Sequence, residues 1–146
     1  MNKISEIAVS YRPSIGRKPI IVSAYDAYTE LKSFYDDSTI GLKESFYVMY
    51  LNQSNRVLGV YPLSTGGVTG TIADPRLIFS VALKINAAGI ILSHNHPSGN
   101  LSPSVADKEL TNKIKEAGKL LDIKVFDHII VSPENSFYSF ADEGLL

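Results

Sequence analysis

The chain contains no cysteine, no excess of either charge and only three histidines, and each shortage closes off some chemistry. Without cysteine there is no disulfide, no thiolate nucleophile and no thiolate-bound zinc, while the cellular compartment stays open. Fourteen basic residues face fifteen acidic ones, for a net charge of −1. That balance gives no long-range pull toward a polyanion, and no dense basic stripe offsets it. Autonomous nucleic-acid binding is therefore not expected. Lys108, Lys113, Lys115 and Lys119 alternate with Asp107, Glu109 and Glu116 and read as one solvated helix face. No apolar run approaches the roughly 20 residues of a membrane span. Residues 1–6 lack the apolar stretch of a signal peptide. The expectation is a cytoplasmic protein with no membrane partner. Repeats, low-complexity tracts and interdomain linkers are also missing.

What is present suits one domain. The apolar fraction of 45% across 146 residues is enough for a core without covalent staples. Residues 1–22 read as an N-terminal extension, with Ile20-Ile21-Val22 a candidate strand, and residues 23–146 as the domain. Ser23 and Asp26 are helix-start signals, and Tyr28, Leu31 and Tyr35 recur at helical spacing, predicting a helix from about Ala24 to Asp36. Glu44 to Leu51 is apolar on both faces and predicts a central strand. Arg56 to Pro62 follows a short turn and predicts an antiparallel partner. Leu63 to Thr71 reads as a Gly-rich loop. Asp74-Pro75 opens a helix whose expected buried face is Leu77, Ile78, Val81, Ala82 and Ile85. A short buried strand, Ile90 to Leu92, comes next. A helix capped by Ser104 runs to about Leu121, and strands at Ile123 to Val131 and Ser136 to Phe140 complete a mixed α/β order.

The chemistry concentrates just after the short strand, in Ser93-His94-Asn95-His96-Pro97-Ser98-Gly99-Asn100. Residues two apart on a strand share a face, so His94 and His96 can point together from the sheet. Asp107 follows eleven residues after His96 and can close the set from the next helix. Two imidazoles and a carboxylate suit a three-ligand zinc site with a position open for water. Asp107 also stands where an acidic side chain completes a helix cap with Ser104, and the two roles are compatible. Hydrolysis needs a base as well. Glu6, Glu30, Glu44, Asp74, Glu109 and Asp127 are candidates, and Glu44 stands out because it begins an otherwise apolar strand. Ser104 can either donate to a polarised carbonyl or serve only as a cap. Asp127 and His128 are adjacent in a strand pattern and so face opposite sides, which argues against a relay between them. A structural or rim role for His128 is expected over one behind the site.

The spacing His94-x-His96, then Ser104, then Asp107 resembles the JAMM (MPN+) metalloprotease motif. The wider text resembles the RadC family over roughly residues 23 to 146. The matching stretches are His94-Asn95-His96-Pro97-Ser98-Gly99, Pro103-Ser104-Val105-Ala106-Asp107, Leu121-Asp122-Ile123, Asp127-His128-Ile129-Ile130-Val131 and Ser139-Phe140-Ala141-Asp142-Glu143-Gly144-Leu145-Leu146. The resemblance implies a three-layer α/β/α sandwich with a mixed sheet, of the cytidine-deaminase-like JAB1/MPN type. It also implies Zn2+ on His94, His96 and Asp107. Glu44 matches the motif's upstream glutamate, and Ser104 its stabiliser of the tetrahedral intermediate. The implied activity is a zinc-dependent metallopeptidase or isopeptidase acting on a peptide or protein substrate. A DNA-repair-associated role and a non-catalytic interaction module stand as alternatives. A deaminase with cysteine ligands is excluded by composition. Gly66-Gly67 and Asp74-Pro75-Arg76-Leu77 depart from the family's usual Gly-Thr and His-Pro-Arg-Glu. The helix-hairpin-helix region of longer members has no counterpart here. Oligomeric state is not legible.

Overall fold

The computed structural model describes residues 3–66 and 73–146. Eight elements follow in the order α1 (Ala24–Lys32), β1 (Ser45–Leu51), β2 (Val57–Thr65), α2 (Pro75–Lys84), β3 (Gly89–Asn95), α3 (Val105–Leu120), β4 (Lys124–Val131) and β5 (Phe137–Ser139). The strands form one mixed sheet in the order β2-β1-β3-β4-β5. β1 is antiparallel to both β2 and β3, β3 is parallel to β4, and β4 is antiparallel to β5.

The strand period of two divides the core into two halves. Val48, Tyr50, Ile90, Leu92 and Val125 point to one side, where they meet Ile78, Phe79 and Ala82 of α2 and Ile114 of α3. Met49, Leu51, Ile91, Ile129 and Val131 point to the other side, where they meet Ala27, Tyr28 and Leu31 of α1. The result is the expected three-layer α/β/α sandwich. β1 and β3 are buried on both faces because each lies between two strands and two helical layers, which explains their continuous apolar runs. Each Ile or Leu enclosed there contributes about 1.5–3 kcal/mol.

The helix starts follow their caps. Ser23 and Asp26 form a reciprocal capping box on α1, and the Asp74 side chain accepts from the Arg76 N–H at the head of α2. The ends differ more from expectation. α1 stops at Lys32 rather than Asp36, because Phe34 and Tyr35 donate three residues back in a tightened last turn. Tyr35 is thereby turned inward, and its hydroxyl meets the Ser93 hydroxyl at 2.7 Å. β2 continues past Pro62 to Thr65, through a register shift that leaves Leu63 in the core and pairs Ser64 and Thr65 with β1. The rest of the expected Gly-rich loop, residues 67–72, lies outside the described residues. On α2 the buried positions are Ile78, Phe79 and Ala82, with Val81 and Ile85 half-buried, whereas Leu77 is exposed. Residues 20–22 form no strand. Ile20 makes one bridge to Arg56, and Ile21 packs with the α1-side core. Among the described residues no helix is long and apolar enough to cross a membrane.

Candidate metal centre

The site lies where β3 ends and α3 begins. β3 runs three residues beyond the expected Leu92, because both its edges stay paired: Phe46 of β1 opposes His94, and Asn95 opposes Val131 of β4. Alternation then sends Leu92 and His94 toward the α2–α3 layer and Ser93 and Asn95 toward the α1 layer. His96 stays in line through its N–H, which donates to the Val131 carbonyl at 3.0 Å. The chain next turns sharply through Pro97-Ser98-Gly99. Gly99 sits at φ +84°, a conformation L side chains rarely adopt, and a Cβ there would lie 2.7 Å from Glu134 Oε2. The turn brings the Asn100 carbonyl onto His96 Nδ1, so His96 donates from Nδ1 and presents an Nε2 lone pair.

Asp107 arrives from the first turn of α3. Ser104 is the cap residue: its hydroxyl oxygen accepts from the Asp107 N–H at 3.0 Å, and its own N–H donates to Asp107 Oδ2 at 2.9 Å. The capping box therefore aims the carboxylate. Asp107 Oδ1 lies 3.5 Å from His94 Nε2, Asp107 Oδ2 lies 3.3 Å from His96 Nε2, and the two Nε2 atoms are 3.0 Å apart. One ligand atom from each of the three residues falls within a 4.8 Å cluster. Burial pushes the Asp107 carboxyl up, but the two imidazoles and the Ser104 N–H outweigh it and hold it well below the usual carboxylate range. The Asp107 carboxylate raises the proton affinity of His96; burial opposes this, and the Asn100 carbonyl and Glu44 charge add to it.

The donor set fits a metal. Imidazole nitrogens and a carboxylate oxygen converge at close range, and among the described residues no Lys or Arg pairs with Asp107. Such a group holds together around a cation, and His₂-carboxylate sets suit zinc.

Sequence expectation and structure can be compared residue by residue. His94, His96 and Asp107 are brought together. Ser104 caps α3, and because its oxygen accepts from Asp107 its hydroxyl hydrogen remains free to donate. Glu44 is half-buried, one residue before β1. Carrying the Phe46–His94 register two residues further places Glu44 opposite His96, on the face that holds His94. The other candidate bases are elsewhere. Glu6 and Glu109 are exposed, Glu30 pairs with Arg17 at 2.9 Å, and Asp74 is occupied by the α2 cap and Arg76. Asp127 points to the α1 side, where it accepts from Ser139 Oγ at 2.6 Å, the Ala141 N–H at 3.0 Å and the His128 N–H at 2.7 Å. It anchors the C-terminal turn, and burial raises its proton affinity.

Two residues were not read for the roles they play. His128 is fully buried and stands directly behind the site, its Nε2 2.7 Å from His94 Nδ1. Of the expected structural or rim role the rim alternative falls, and His128 stands behind His94, because parallel pairing sets Leu92 beside His128 and turns both toward α3. Asn95 was passed over between its two histidine neighbours. It has no exposed surface, and its side chain holds both flanks of Glu44. Oδ1 accepts from the Ser45 N–H at 2.7 Å, and Nδ2 donates to the Lys43 and Ile40 carbonyls at 2.9 and 2.8 Å. A buried polar residue between two apolar-strand ligands was the available signal.

Comparison with known proteins identifies the family. A family model described as RadC-like JAB domain matches residues 21–145. The chain belongs to the RadC family. This RadC-like domain is 48% identical over 125 residues to a UPF0758 protein of Flavobacterium johnsoniae, covering 86% of this chain and 53% of that one. It is 41% identical over 130 residues to a UPF0758 protein of Porphyromonas gingivalis, covering 89% and 56%. To the UPF0758 protein YfjY of Escherichia coli it is 45% identical over 104 residues, covering 71% and 64%. The RadC-like domain thus spans a little over half the length of the first two of these relatives. The JAB-type fold and the His-His-Asp group are those of a possible metallohydrolase.

Proposed function

We propose that this RadC-like domain is a zinc-dependent hydrolase of amide bonds, a metallopeptidase or isopeptidase acting on a peptide or protein substrate. The observation that carries the reading is the convergence of His94 Nε2, His96 Nε2 and an Asp107 oxygen within 4.8 Å, beside a strand end that carries Glu44. His94, His96 and Asp107 would hold the ion. Zinc there would lower the pKa of a water toward 7 and polarise a scissile carbonyl. Glu44 takes the proton released as the carbonyl is attacked and returns it to the leaving amine. Ser104 donates its free hydroxyl hydrogen to the carbonyl oxygen as that oxygen gains charge. Asn95 keeps Glu44 in place by gripping the backbone on either side of it.

The test begins with metal content. Protein stripped by chelator and dialysed against zinc should take up one equivalent, measured by plasma mass spectrometry. A His94→Ala/His96→Ala double variant should take up none, and stoichiometric zinc in that variant would overturn the site. Peptide and isopeptide libraries then identify a cleaved bond. Glu44→Gln should keep its zinc and lose about 10²–10⁴ in turnover; equal turnover would remove Glu44 from the mechanism.

A further inference from the structure

His128 is a buried titratable group that the mechanism above does not use. Its ring lies stacked on Phe140 at 4.6 Å between centroids and has no access to solvent. Both ring nitrogens are nevertheless engaged: Nε2 faces His94 Nδ1 at 2.7 Å, and Nδ1 faces Thr111 Oγ1 at 2.6 Å. Thr111 is itself buried on α3, one helical turn beyond Asp107, and its hydroxyl donates to the Asp107 carbonyl at 2.7 Å.

The direction of every proton in this chain follows from its far end. A backbone carbonyl can only accept. Thr111 has a single hydroxyl hydrogen and gives it to Asp107, so toward His128 it must accept. His128 Nδ1 is then the donor. A neutral ring with its hydrogen on Nδ1 has a lone pair on Nε2, so the hydrogen between the two rings belongs to His94 Nδ1. His94 is left with its lone pair on Nε2, the atom that faces His96 and Asp107.

We propose that His128, clamped by Thr111, is the positioning residue that fixes His94 in the Nδ1–H tautomer and aims its Nε2 at the metal. The relay starts on the main chain of one ligand, Asp107, and ends on the ring of another, His94. It thereby ties the first turn of α3 to the end of β3 through two buried side chains. The proposal rests on the metal-site reading, but the tautomers can be measured without any metal.

The experiment has two arms. In the first, ¹⁵N-imidazole NMR on the metal-free protein reads the tautomers, and both His94 and His128 should carry their hydrogen on Nδ1. A His94 ring protonated on Nε2 alone would overturn the relay whatever the metal does. In the second, zinc affinity is measured by chelator competition on folded variants. Thr111→Val keeps the shape and removes the hydroxyl, and His128→Phe removes both nitrogens; each should weaken zinc binding about 10–100-fold. Thr111→Ser, and His128→Gln with its own acceptor and donor, should restore binding to within about threefold of native, which separates hydrogen bonding from packing. Thr111→Val with a native melting temperature and native zinc affinity would overturn this proposal alone. A native protein that binds no zinc would overturn the metal reading, and with it the purpose assigned to the relay, even with the tautomers as stated.

Discussion

Truncating Asn95 to alanine tests how the site is held together. The side chain makes three hydrogen bonds, to the Ser45 N–H and to the Ile40 and Lys43 carbonyls. The Ile40 bond is enclosed, and its loss strands a buried carbonyl at about 2 kcal/mol; the other two are partly reached by water and cost about 1 kcal/mol each. The sum, about 4 kcal/mol, is a large share of the 5–15 kcal/mol that holds a typical domain. At about 2.1 cal/mol/K of unfolding entropy per residue, a chain of 146 residues should lose about 13 °C in melting temperature. Thermal unfolding of the metal-free variant by circular dichroism measures that shift. Hydrogen exchange locates it: the Ser45 amide should exchange faster, while core amides such as Ile90 should follow only the global change. A fall of under about 3 °C with an unchanged Ser45 amide would refute the claim that Asn95 clamps the Glu44 segment.

Acid should act on the metal-free protein through two histidines of opposite sign. His128 stays neutral when buried, its proton affinity pushed far down by desolvation and by His94. Its contribution is present above the unfolded value near 6.5 and is lost as pH falls toward the folded value, at up to about 1.4 kcal/mol per unit. His96, raised chiefly by Asp107, contributes fully below 6.5 and loses that contribution as pH rises through its folded value. His96→Ala should therefore remove the part of the stability that declines as pH rises above 6.5, read in urea unfolding series from pH 6.5 upward; a slope equal to native over that window would contradict the assignment. Gly99→Ala forces a positive φ on a residue with a Cβ and should cost about 1–3 kcal/mol. It should also weaken zinc binding by displacing the Asn100 carbonyl from His96, and native zinc affinity would break that link. Ser104→Ala should cost about 1 kcal/mol as a lost cap. It should retain zinc while reducing turnover, and full turnover would leave Ser104 as a cap only.

Much of the fold was legible because the local signals agreed with the packing. The Ser23–Asp26 cap, the doubly apolar Glu44 to Leu51 segment and the Asp74-Pro75 helix start each mean one thing, and the Ser104–Asp107 pair marks a helix start whatever else it does. Ends were less legible. The continuation of β3 to Asn95 depends on partners at Phe46 and Val131, and the tightened end of α1 is accompanied by the reach of Tyr35 to Ser93. Neither contact is local in sequence. That His94, His96 and Asp107 come together was readable from spacing, since strand period and helix start both point inward. The support behind it was not. His128 reaches His94 only because parallel pairing sets β4 beside β3, and Thr111 reaches His128 only because α3 crosses that face. Asn95 looked like a spacer until the segment on its other side was placed.

The three residues of the candidate metal group are unequally sheltered. The His94 side chain is 3% exposed, against 14% for His96 and 19% for Asp107. Among the described residues the group therefore has a closed back at His94 and a more open front at His96 and Asp107. A chelator or ion would meet the His96–Asp107 side first, while His94 is screened by Phe46 and His128. An ion held as proposed would be released by the two front residues first, with His94 the last to let go. The rate at which this domain gains or loses its metal would then be set by the Pro97–Asn100 turn and the first turn of α3, the two short segments that carry the front residues, rather than by the sheet.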